Sequence, residues 1–251
     1  MTSKPLMSGQ VAVVTGAVGG IGSAICQRLA TAGASVVLVD LQDIEKINET
    51  AQTLAGNNHT AVSVSITDSQ ALKEVAAQIA DRYGTVDLLV NNAGITRPVP
   101  HADLEELDDD LIDAIFQVNW RGGFACIRAF KDLLAGGEGG VVVNISSIAG
   151  QTGIGSNVAY CASKAAINAM TISLGRALAP EIRVVAVAPG WVMGEYAKRM
   201  PVEYLREQID KTPLARLATP EDVAETIVGI KTMLPFSTSC VIPVDGGRPF
   251  I

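Results

Sequence analysis

The sequence is poor in the residues that mark several classes of protein. Aromatic residues make up only 4% of its 251 residues, and two histidines are present. The four cysteines, Cys26, Cys126, Cys161 and Cys240, are far apart and form no Cys-x-x-Cys pair. This pattern argues against a zinc site, and we predict no metal. We expect the cysteines to be buried, reduced thiols.

Charge and hydropathy exclude further partners. Nineteen Lys and Arg residues against 26 Asp and Glu give a net charge of -7, without a dense basic cluster. Nucleic acid and an anionic membrane are therefore poor partners. No apolar run approaches the roughly 18 residues of a membrane span, and residues 1–10 lack the charged-then-apolar order of a secretory signal. We expect a soluble, cytoplasmic protein.

The residues that are abundant point to an α/β fold. Hydrophobic residues make up 48% of the chain, with 24 glycines. Short β-branched runs, each followed by a segment of helical period, predict strands over Val11–Thr15, Ser35–Asp40, Ala61–Ile66, Val86–Asn91, Val141–Ile145, Arg183–Ala188 and Val241–Val244. This alternation predicts one Rossmann-type, doubly wound domain over residues 1–251, with a seven-stranded parallel sheet flanked by helices.

One long segment departs from that alternation. Residues Trp191 to Leu217 follow a predicted strand end late in the chain. Open α/β sheets bind ligands beyond the carboxyl ends of their strands. We therefore expect residues 191–217 to form a substrate lid.

A Gly-rich stretch, Thr15–Gly22, follows the first strand and opens the first helix. In this context backbone N–H groups and the helix dipole face a pyrophosphate. Gly16 permits the tight turn, Gly20 lets phosphate approach the backbone, and Gly22 lets helix and strand pack closely. The spacing is Gly-x-x-x-Gly-x-Gly, not the commoner Gly-x-Gly-x-x-Gly. The stretch predicts a dinucleotide site.

Asp40 strengthens that prediction and concerns the choice of cofactor. It ends the second strand, twenty residues after Gly20, where a carboxylate can accept both hydroxyls of the adenosine ribose. The same carboxylate would repel a 2′-phosphate, and neither Gly19 nor Leu41 offers a positive charge. We therefore expect NAD(H), with NADP(H) the less favoured cofactor.

Tyr160 and Lys164 form a candidate acid/base pair. They are four residues apart in an Ala-rich segment that predicts a helix, so both project from one face. A tyrosine titrates near pH 10, so the pKa of a phenolic base working near neutrality must fall by about 3 units. An ammonium one turn away has the right charge for this. Alone, the pair equally fits a solvated helix face.

Several motifs in order resemble those of the short-chain dehydrogenase/reductase family. They are Thr15–Gly22, Asn91–Gly94, Asn119, Ser147, Tyr160 with Lys164, and Pro189-Gly190. The resemblance runs from about Gly9 to the end of the chain. It implies hydride transfer between a secondary alcohol or ketone and a nicotinamide cofactor.

The resemblance implies four catalytic residues. Tyr160 would exchange a proton with the substrate hydroxyl, while Lys164 lowers the pKa of the phenol and bonds the nicotinamide ribose. Ser147 would donate a hydrogen bond to the substrate oxygen, with Ser146 as the adjacent alternative. Asn119 would hold a water that links Lys164 to solvent, unless its amide satisfies backbone groups in the helix interior.

The resemblance also implies the cofactor contacts. Asn91–Gly94 would shape the adenosine side, and Val192 would offer backbone to the carboxamide. Ser65 stands where members often carry Asp, and Gly194 where many carry Thr. The expected cofactor-binding residues are Gly16, Gly20, Ile21, Gly22, Asp40, Leu41, Ser65, Ile66, Asn91, Ala93, Tyr160, Lys164, Pro189, Gly190 and Val192.

The motif text is most similar to that of 3-oxoacyl carrier-protein reductases, through Asn91–Arg97 and Val244–Gly247. Those enzymes usually use NADPH and dock an acidic carrier protein on basic residues near the active-site mouth. Glu138 and Glu181 occupy the matching places here, and like charges would oppose docking. We therefore favour NAD-dependent oxidation of a small secondary alcohol, such as a hydroxy acid, polyol or sugar.

Two alternatives stay open. One is the NADPH-dependent 3-oxoacyl reductase, and the other is a non-catalytic nucleotide-binding sensor. The sensor is disfavoured because a binder needs no positioned proton donor such as Tyr160.

The sequence does not identify the substrate. The expected pocket residues are Gln151, Ile154, Trp191, Met193 and Tyr196. Four basic residues could meet a substrate carboxylate or form solvated surface charge: Arg97, Lys198, Arg199 and Arg206. The resemblance further implies a homotetramer in which Gly246–Ile251 reach a neighbouring subunit.

Overall fold

The computed structural model of the chain describes residues 5–194 and 197–248. Seven strands form one sheet in the order β3-β2-β1-β4-β5-β6-β7, and all six neighbouring pairs are parallel. The strands are β1 (Val11–Thr15), β2 (Ser35–Asp40), β3 (Thr60–Ser63), β4 (Leu88–Asn91), β5 (Gly140–Ile145), β6 (Ile182–Pro189) and β7 (Cys240–Val244). The predicted Rossmann-type sheet is confirmed.

Helices connect these strands. They are α1 (Gly20–Thr31), α2 (Ile44–Gln52), α3 (Ser69–Tyr83), α4 (Asp109–Phe116), α5 (Gly123–Ala135), α6 (Ala149–Thr152), α7 (Val158–Ala177), α8 (Val202–Asp210) and α9 (Pro220–Thr232). A π-helical turn, Gln117–Gly122, joins α4 to α5, and a 3-10 turn, Ala197–Arg199, precedes α8. Within the part of the chain that the structure describes, none of these helices is long and apolar enough to cross a bilayer.

The sheet is buried on both faces, which explains the nearly continuous apolar strands. On one face, side chains such as Val14 and Val143 pack with Ile25 of α1 and Ile227 of α9. On the other face the core includes α3, α5 and α7, with Phe130 of α5 fully buried. Strand order reverses between β1 and β4, so the carboxyl ends of these strands border a crevice, where open α/β sheets bind ligands.

The end of β3 differs most from the prediction. The strand stops at Ser63 rather than at Ile66. The chain turns here because the N–H of Asp68 donates to the carbonyl of Ser65 at 3.1 Å. The Asp68 carboxylate then caps α3 by accepting from two backbone N–H groups. Ser65 and Ile66 therefore belong to a turn beyond the strand.

The cysteines follow the prediction in part. All four are free, and three are buried, while Cys240 is only partly buried on the edge strand β7. Across residues 5–194 and 197–248, no group of three or more His, Cys, Asp or Glu side chains could hold a metal ion.

Candidate active site

The Gly-rich loop between β1 and α1 is shaped by two glycines that admit no side chain. Gly16 has a φ of +64°, and a Cβ there would lie 2.9 Å from Cα of Ala93. A Cβ on Gly22 would lie 2.0 Å from the carbonyl oxygen of Gly16. Gly20 differs, because a Cβ there would meet nothing within 4 Å. Gly20 thus faces open space at the start of α1, where a pyrophosphate would bind.

Asn92 fastens this loop to β4, a role that motif spacing missed. Its Nδ2 donates to the carbonyl oxygens of Thr15 and Gly16, each at 3.0 Å. The Thr15 hydroxyl accepts from the N–H groups of Asn92 and Ala93, each at 3.1 Å. The sequence placed Asn92 inside the Asn91–Gly94 motif but did not show that its side chain bonds the Gly-rich loop. Asn92 and Thr15 therefore hold the two borders of the crevice together.

Asp40 closes the loop from the end of β2. Its Oδ2 accepts from the N–H of Val18 at 2.9 Å, and its Oδ1 accepts from the N–H groups of Leu41 at 2.8 Å and Gln42 at 3.2 Å. Asp40 is partly exposed, and the Leu41 side chain is 75% exposed. The carboxylate is therefore fixed at the rim of the crevice, next to the Gly-rich loop.

The three residues expected on the adenosine side have surroundings that differ from one another. The Ser65 hydroxyl lies 2.8 Å from that of Thr67, and Ile66 is buried. Asn91 is turned into the interior, where its Nδ2 donates to Oδ1 of Asn144 at 2.9 Å. Its Oδ1 is buried without a hydrogen-bond partner among the described residues. The side chain of Asn91 therefore supports the sheet, and the adenosine contact expected of this residue stays a prediction.

The two serines after β5 point in opposite directions. Ser146 is 2% exposed, and its hydroxyl donates to Oδ1 of Asn168 at 2.6 Å and to the carbonyl of Lys164 at 3.2 Å. Ser147 is half-buried, accepts from the N–H of Ala149 at 3.1 Å and lies near enough to the phenol of Tyr160 to lower its pKa. Ser146 thus anchors α7 to β5, while Ser147 shares a site with Tyr160.

Lys164 is buried one turn beyond Tyr160 on α7. Its Nζ donates to the carbonyl oxygen of Ile145 at 2.8 Å and lies 5.6 Å from the centroid of the Tyr160 ring. Burial disfavours the ammonium and lowers the pKa of Lys164 to about 8.

The pKa of Tyr160 moves opposite to the expectation. Burial raises the pKa of the phenol, and the neighbouring Ser147 hydroxyl offsets only part of that rise. The expectation required an ammonium close to the hydroxyl. In the structure the Lys164 ammonium donates instead to the carbonyl of Ile145. The phenol is therefore held in its protonated form near neutral pH.

Asn119 lies in the π-helical turn and bonds to a neighbouring loop. Its Oδ1 accepts from the N–H of Ile95 at 2.8 Å, and its Nδ2 donates to the carbonyl of Ile95 at 3.1 Å. The same Nδ2 donates to the Ser163 hydroxyl at 3.1 Å. These bonds satisfy backbone groups, the alternative role weighed for this residue. A Cβ on Gly94 would lie 3.2 Å from Oδ1 of Asn119, so this turn packs tightly beside the site.

The edge that we expect to face the nicotinamide is formed where β6 ends. Pro189 is the last residue of the strand, and the N–H of Gly190 donates to the carbonyl of Val244 at 3.0 Å. A Cβ on Gly190 would lie 3.1 Å from Cα of Asp245, so the backbones approach closely. Val192 forms an isolated parallel bridge with Ala218. This edge therefore presents backbone beside the crevice.

The expected lid segment contains α8 and the 3-10 turn. Trp191 and Tyr204 make an edge-to-face ring contact at 5.5 Å. Gln208 of α8 is buried and accepts from Arg248 at 2.5 Å, which ties the segment to the chain after β7. Tyr196 and residues 249–251 lie outside the described residues, as do the parts of the predictions that fall on them.

The structure gives the surroundings of charged residues that the sequence placed near the active site. Arg97 is paired with Glu106 at 2.7 Å and Asp108 at 3.4 Å, so the chain's own carboxylates neutralise it at the surface. Glu138 and Glu181 precede β5 and β6, at the amino edge of the sheet. Their expected place at the active-site mouth is wrong within one chain, because the Tyr160 site lies at the opposite, carboxyl edge. Motif spacing counts positions but does not show which edge they reach.

A nicotinamide dinucleotide fits the residues at this carboxyl edge. Gly20 leaves the start of α1 open for phosphate, and the carboxylate of Asp40 stands at the rim for a ribose. Tyr160, Lys164 and Ser147 lie at the β5 side. The fold and this site together define a nucleotide-binding enzyme.

Comparison with known proteins gives the family. The short chain dehydrogenase family model matches residues 10–203. A 3-oxoacyl-acyl-carrier-protein reductase of Thermotoga maritima is 34% identical over 245 residues, 96% of this chain and 98% of that protein. A cis-4-hydroxycyclohexanecarboxylate dehydrogenase of Sinomonas cyclohexanicum is 35% identical over 243 residues, 95% of this chain and 96% of that protein.

Solved structures agree with this assignment. The crystal structure of a short-chain dehydrogenase/reductase from Brucella melitensis, described as a glucose/ribitol dehydrogenase, superimposes with a TM-score of 0.91 at 30% identity. The match covers 98% of this chain and 99% of that one. The protein is therefore an oxidoreductase of the class that uses nicotinamide cofactors. The chain belongs to the short-chain dehydrogenase family.

Proposed function

We propose that this protein interconverts a secondary alcohol and a ketone, with NAD(H) as the preferred cofactor and Tyr160 as the acid/base. The observation that carries the proposal is the meeting of three groups at one place. Ser147 neighbours the Tyr160 phenol, and the buried Nζ of Lys164 lies 5.6 Å from the centroid of the Tyr160 ring. All three stand at the carboxyl edge of the sheet, beside the crevice bordered by the Gly-rich loop.

Tyr160 would hold and move the proton. Its raised pKa keeps the phenol protonated, which suits donation to a ketone oxygen during reduction. Ser147 would donate a hydrogen bond to the same oxygen as negative charge develops there. The nicotinamide ring, when bound, supplies the hydride donor or acceptor. For oxidation, the phenol must first ionise.

Lys164 would favour that ionisation. With a pKa of about 8, its side chain carries an ammonium through the neutral range. In the structure as it stands the ammonium does not lower the pKa of the phenol, but a positive charge brought toward the hydroxyl would stabilise the phenolate relative to the neutral phenol. Its hydrogen bond to Ile145 keeps the ammonium beside the site.

Asp40 supports the preference for NAD(H). Three backbone N–H groups, those of Val18, Leu41 and Gln42, fix its carboxylate next to the Gly-rich loop. A carboxylate in this place can accept ribose hydroxyls and repels a 2′-phosphate. Neither Leu41 nor Gln42 carries a charge that would neutralise such a phosphate.

The substrate pocket would lie between Tyr160 and residues 191–217, which would act as the lid. Gly155 packs so closely on Tyr160 that a Cβ there would lie 3.3 Å from its Cδ1. The neighbouring Ile154 is 69% exposed. With the Trp191 and Tyr204 rings on the lid side, this wall would suit a small alcohol with an apolar face. The family expectation of a homotetramer is also kept as a proposal.

A second candidate function is reduction of 3-oxoacyl thioesters with NADPH. It is favoured by the 34% identity to the Thermotoga maritima reductase over nearly the full length of both chains. The two functions differ in cofactor, direction and substrate size.

A turnover screen separates them. Secondary alcohols would be tested with NAD⁺ and NADP⁺, and matching ketones and a short 3-oxoacyl thioester with NADH and NADPH. Turnover of an alcohol with NAD⁺ is the expected result. Tighter binding of NADPH with turnover of the thioester would establish the second candidate. NADH binding without turnover of any pair would favour the non-catalytic sensor.

A further inference from the structure

Asn157, the residue before α7, bonds directly to the backbone of Tyr160. It is fully buried and serves as the N-cap of the helix. Its Oδ1 accepts from the N–H of Tyr160 at 2.7 Å. Because an N-cap bond of this kind orders the first helical turn, Asn157 fixes the segment from which the phenol projects.

The other half of the Asn157 amide holds a distant loop. Its Nδ2 donates to the carbonyl of Arg97 at 2.8 Å and to the hydroxyl of Thr96 at 3.3 Å. These partners are about 60 residues away in the chain, after β4. A serine or aspartate would cap the helix equally well, so capping alone does not account for a fully buried amide with two more partners.

The loop held by Asn157 forms one wall with the residues before α7. The N–H of Val99 donates to the carbonyl of Ser156 at 2.8 Å, and the Thr96 hydroxyl lies 2.5 Å from that of Ser156. This wall, made of residues 96–99 and 155–156, adjoins the Tyr160 ring through Gly155.

The carbonyl side of Tyr160 is held as well. The Ser163 hydroxyl donates to the carbonyl of Tyr160 at 2.8 Å, and Asn119 donates to that hydroxyl. Asn119 also binds Ile95, two residues before Arg97. The backbone N–H of Tyr160 is therefore linked to the loop at residues 95–97 through Asn157. Its backbone carbonyl is linked to the same loop through Ser163 and Asn119.

We propose that Asn157 is a positioning residue, whose amide fixes the phenol of Tyr160 and the 96–99 loop in place relative to each other. This inference rests on the proposed function, since the phenol is the proton donor there. A misplacement of about 1 Å costs on the order of 100-fold in rate, so a buried amide that bonds both segments would govern turnover without touching the substrate.

The test compares two variants with the wild-type protein. Asn157→Ala removes both halves of the amide, and Asn157→Ser restores a cap for Tyr160 but is too short to reach Arg97. We expect Asn157→Ala to lower kcat by about 10- to 100-fold, with NADH affinity by fluorescence titration changed less than about twofold. Asn157→Ser should recover part of kcat. The limb of the pH profile that reports ionisation of the phenol should shift in both variants. This is the alkaline limb for ketone reduction and the acidic limb for alcohol oxidation.

A matched control removes a cap of the same kind elsewhere. Asp68 caps α3 by accepting from Gln70 and Ala71, and Asp68→Ala should lose the stability of its cap while keeping kcat and the pH profile. Amide hydrogen exchange supplies a measurement independent of turnover. Asn157→Ala should raise exchange at Tyr160 and at the 96–99 loop together, whereas Asp68→Ala should raise it only in α3.

Several outcomes would overturn the inference. They are an unchanged kcat in folded Asn157→Ala, a loss of NADH affinity that matches the loss of kcat, and faster exchange confined to α7. If Asn157→Ala does not fold, the same criteria apply to Asn157→Ser. A wild-type protein that turns over no alcohol or ketone refutes the proposed function instead, and the exchange experiment still decides whether Asn157 couples the two segments.

Discussion

The Nζ atom of Lys164 donates to the carbonyl oxygen of Ile145 at 2.8 Å. This bond joins the middle of α7 to the end of β5. Ser146 makes a second bond between the same two elements, because its hydroxyl donates to the backbone carbonyl of Lys164. The strand end that presents Ser147 and the helix that presents Tyr160 are thereby fixed to each other. The cost of this arrangement is an ammonium buried in the interior.

Lys164 should make the stability of the protein depend on pH. Its pKa falls from 10.5 to about 8 on folding, so between these values the unfolded chain binds a proton that the folded chain does not. Stability therefore rises with pH in this window. Relative to Lys164→Met, the wild-type free energy of unfolding should rise by about 2 kcal/mol from about pH 8 to about pH 10. Urea unfolding of both proteins measures it, and a constant difference would show that folding does not lower the pKa of Lys164.

Tyr160→Phe should abolish turnover and leave cofactor binding intact. The substitution removes only the hydroxyl that carries the transferable proton. We expect kcat to fall by about 1,000-fold or more, while NADH affinity by fluorescence titration stays within about twofold. Circular dichroism should show an unchanged fold. Retained turnover would assign the proton transfer to another group.

Alanine variants of the two glycines at the start of α1 should differ in melting temperature. Alanine at Gly22 would place Cβ 2.0 Å from the carbonyl of Gly16, so the loop must shift. Gly22→Ala should therefore lower both the melting temperature and NADH affinity. Alanine at Gly20 meets nothing within 4 Å, so Gly20→Ala should weaken NADH binding with the melting temperature kept or raised. Equal NADH affinity in wild type and Gly20→Ala would place the phosphates elsewhere.

The sheet was predictable because its strands are short β-branched runs buried on both faces, and each run signals a strand by itself. Strand ends were less predictable. The end of β3 is set by the turn between Ser65 and Asp68, which depends on how α3 begins. The side of the sheet reached by Glu138 and Glu181 depends on which strand ends they adjoin, which motif spacing does not show.

Within the site, spacing placed Tyr160 and Lys164 on one helical face but not the partner of the ammonium. The carbonyl of Ile145, on another element, is that partner. The roles of Asn157 and of Asn92, which lies in the Asn91–Gly94 motif, were missed for a related reason. Each bonds the backbone of a segment more than 50 residues away, and such contacts leave no local pattern in the sequence.

Asp40 gives a direct test of cofactor choice. Asp40→Ala removes the carboxylate at the rim, so NAD(H) should bind more weakly while NADP(H) loses an electrostatic repulsion. We expect the ratio of the two affinities to shift toward NADP(H) by about tenfold or more. Asp43→Ala is the matched control, because Asp43 is exposed, carries the same charge and makes no side-chain cap bond. It removes one negative charge from the same region without touching the Gly-rich loop.

Dissociation constants from fluorescence titration of both cofactors measure the ratios. A similar shift in both variants would mean that overall charge discriminates, whereas no shift in Asp40→Ala would place discrimination at other residues. Because Asp40 also accepts from Val18, a loss of both affinities in equal proportion would show that its role is to hold the loop.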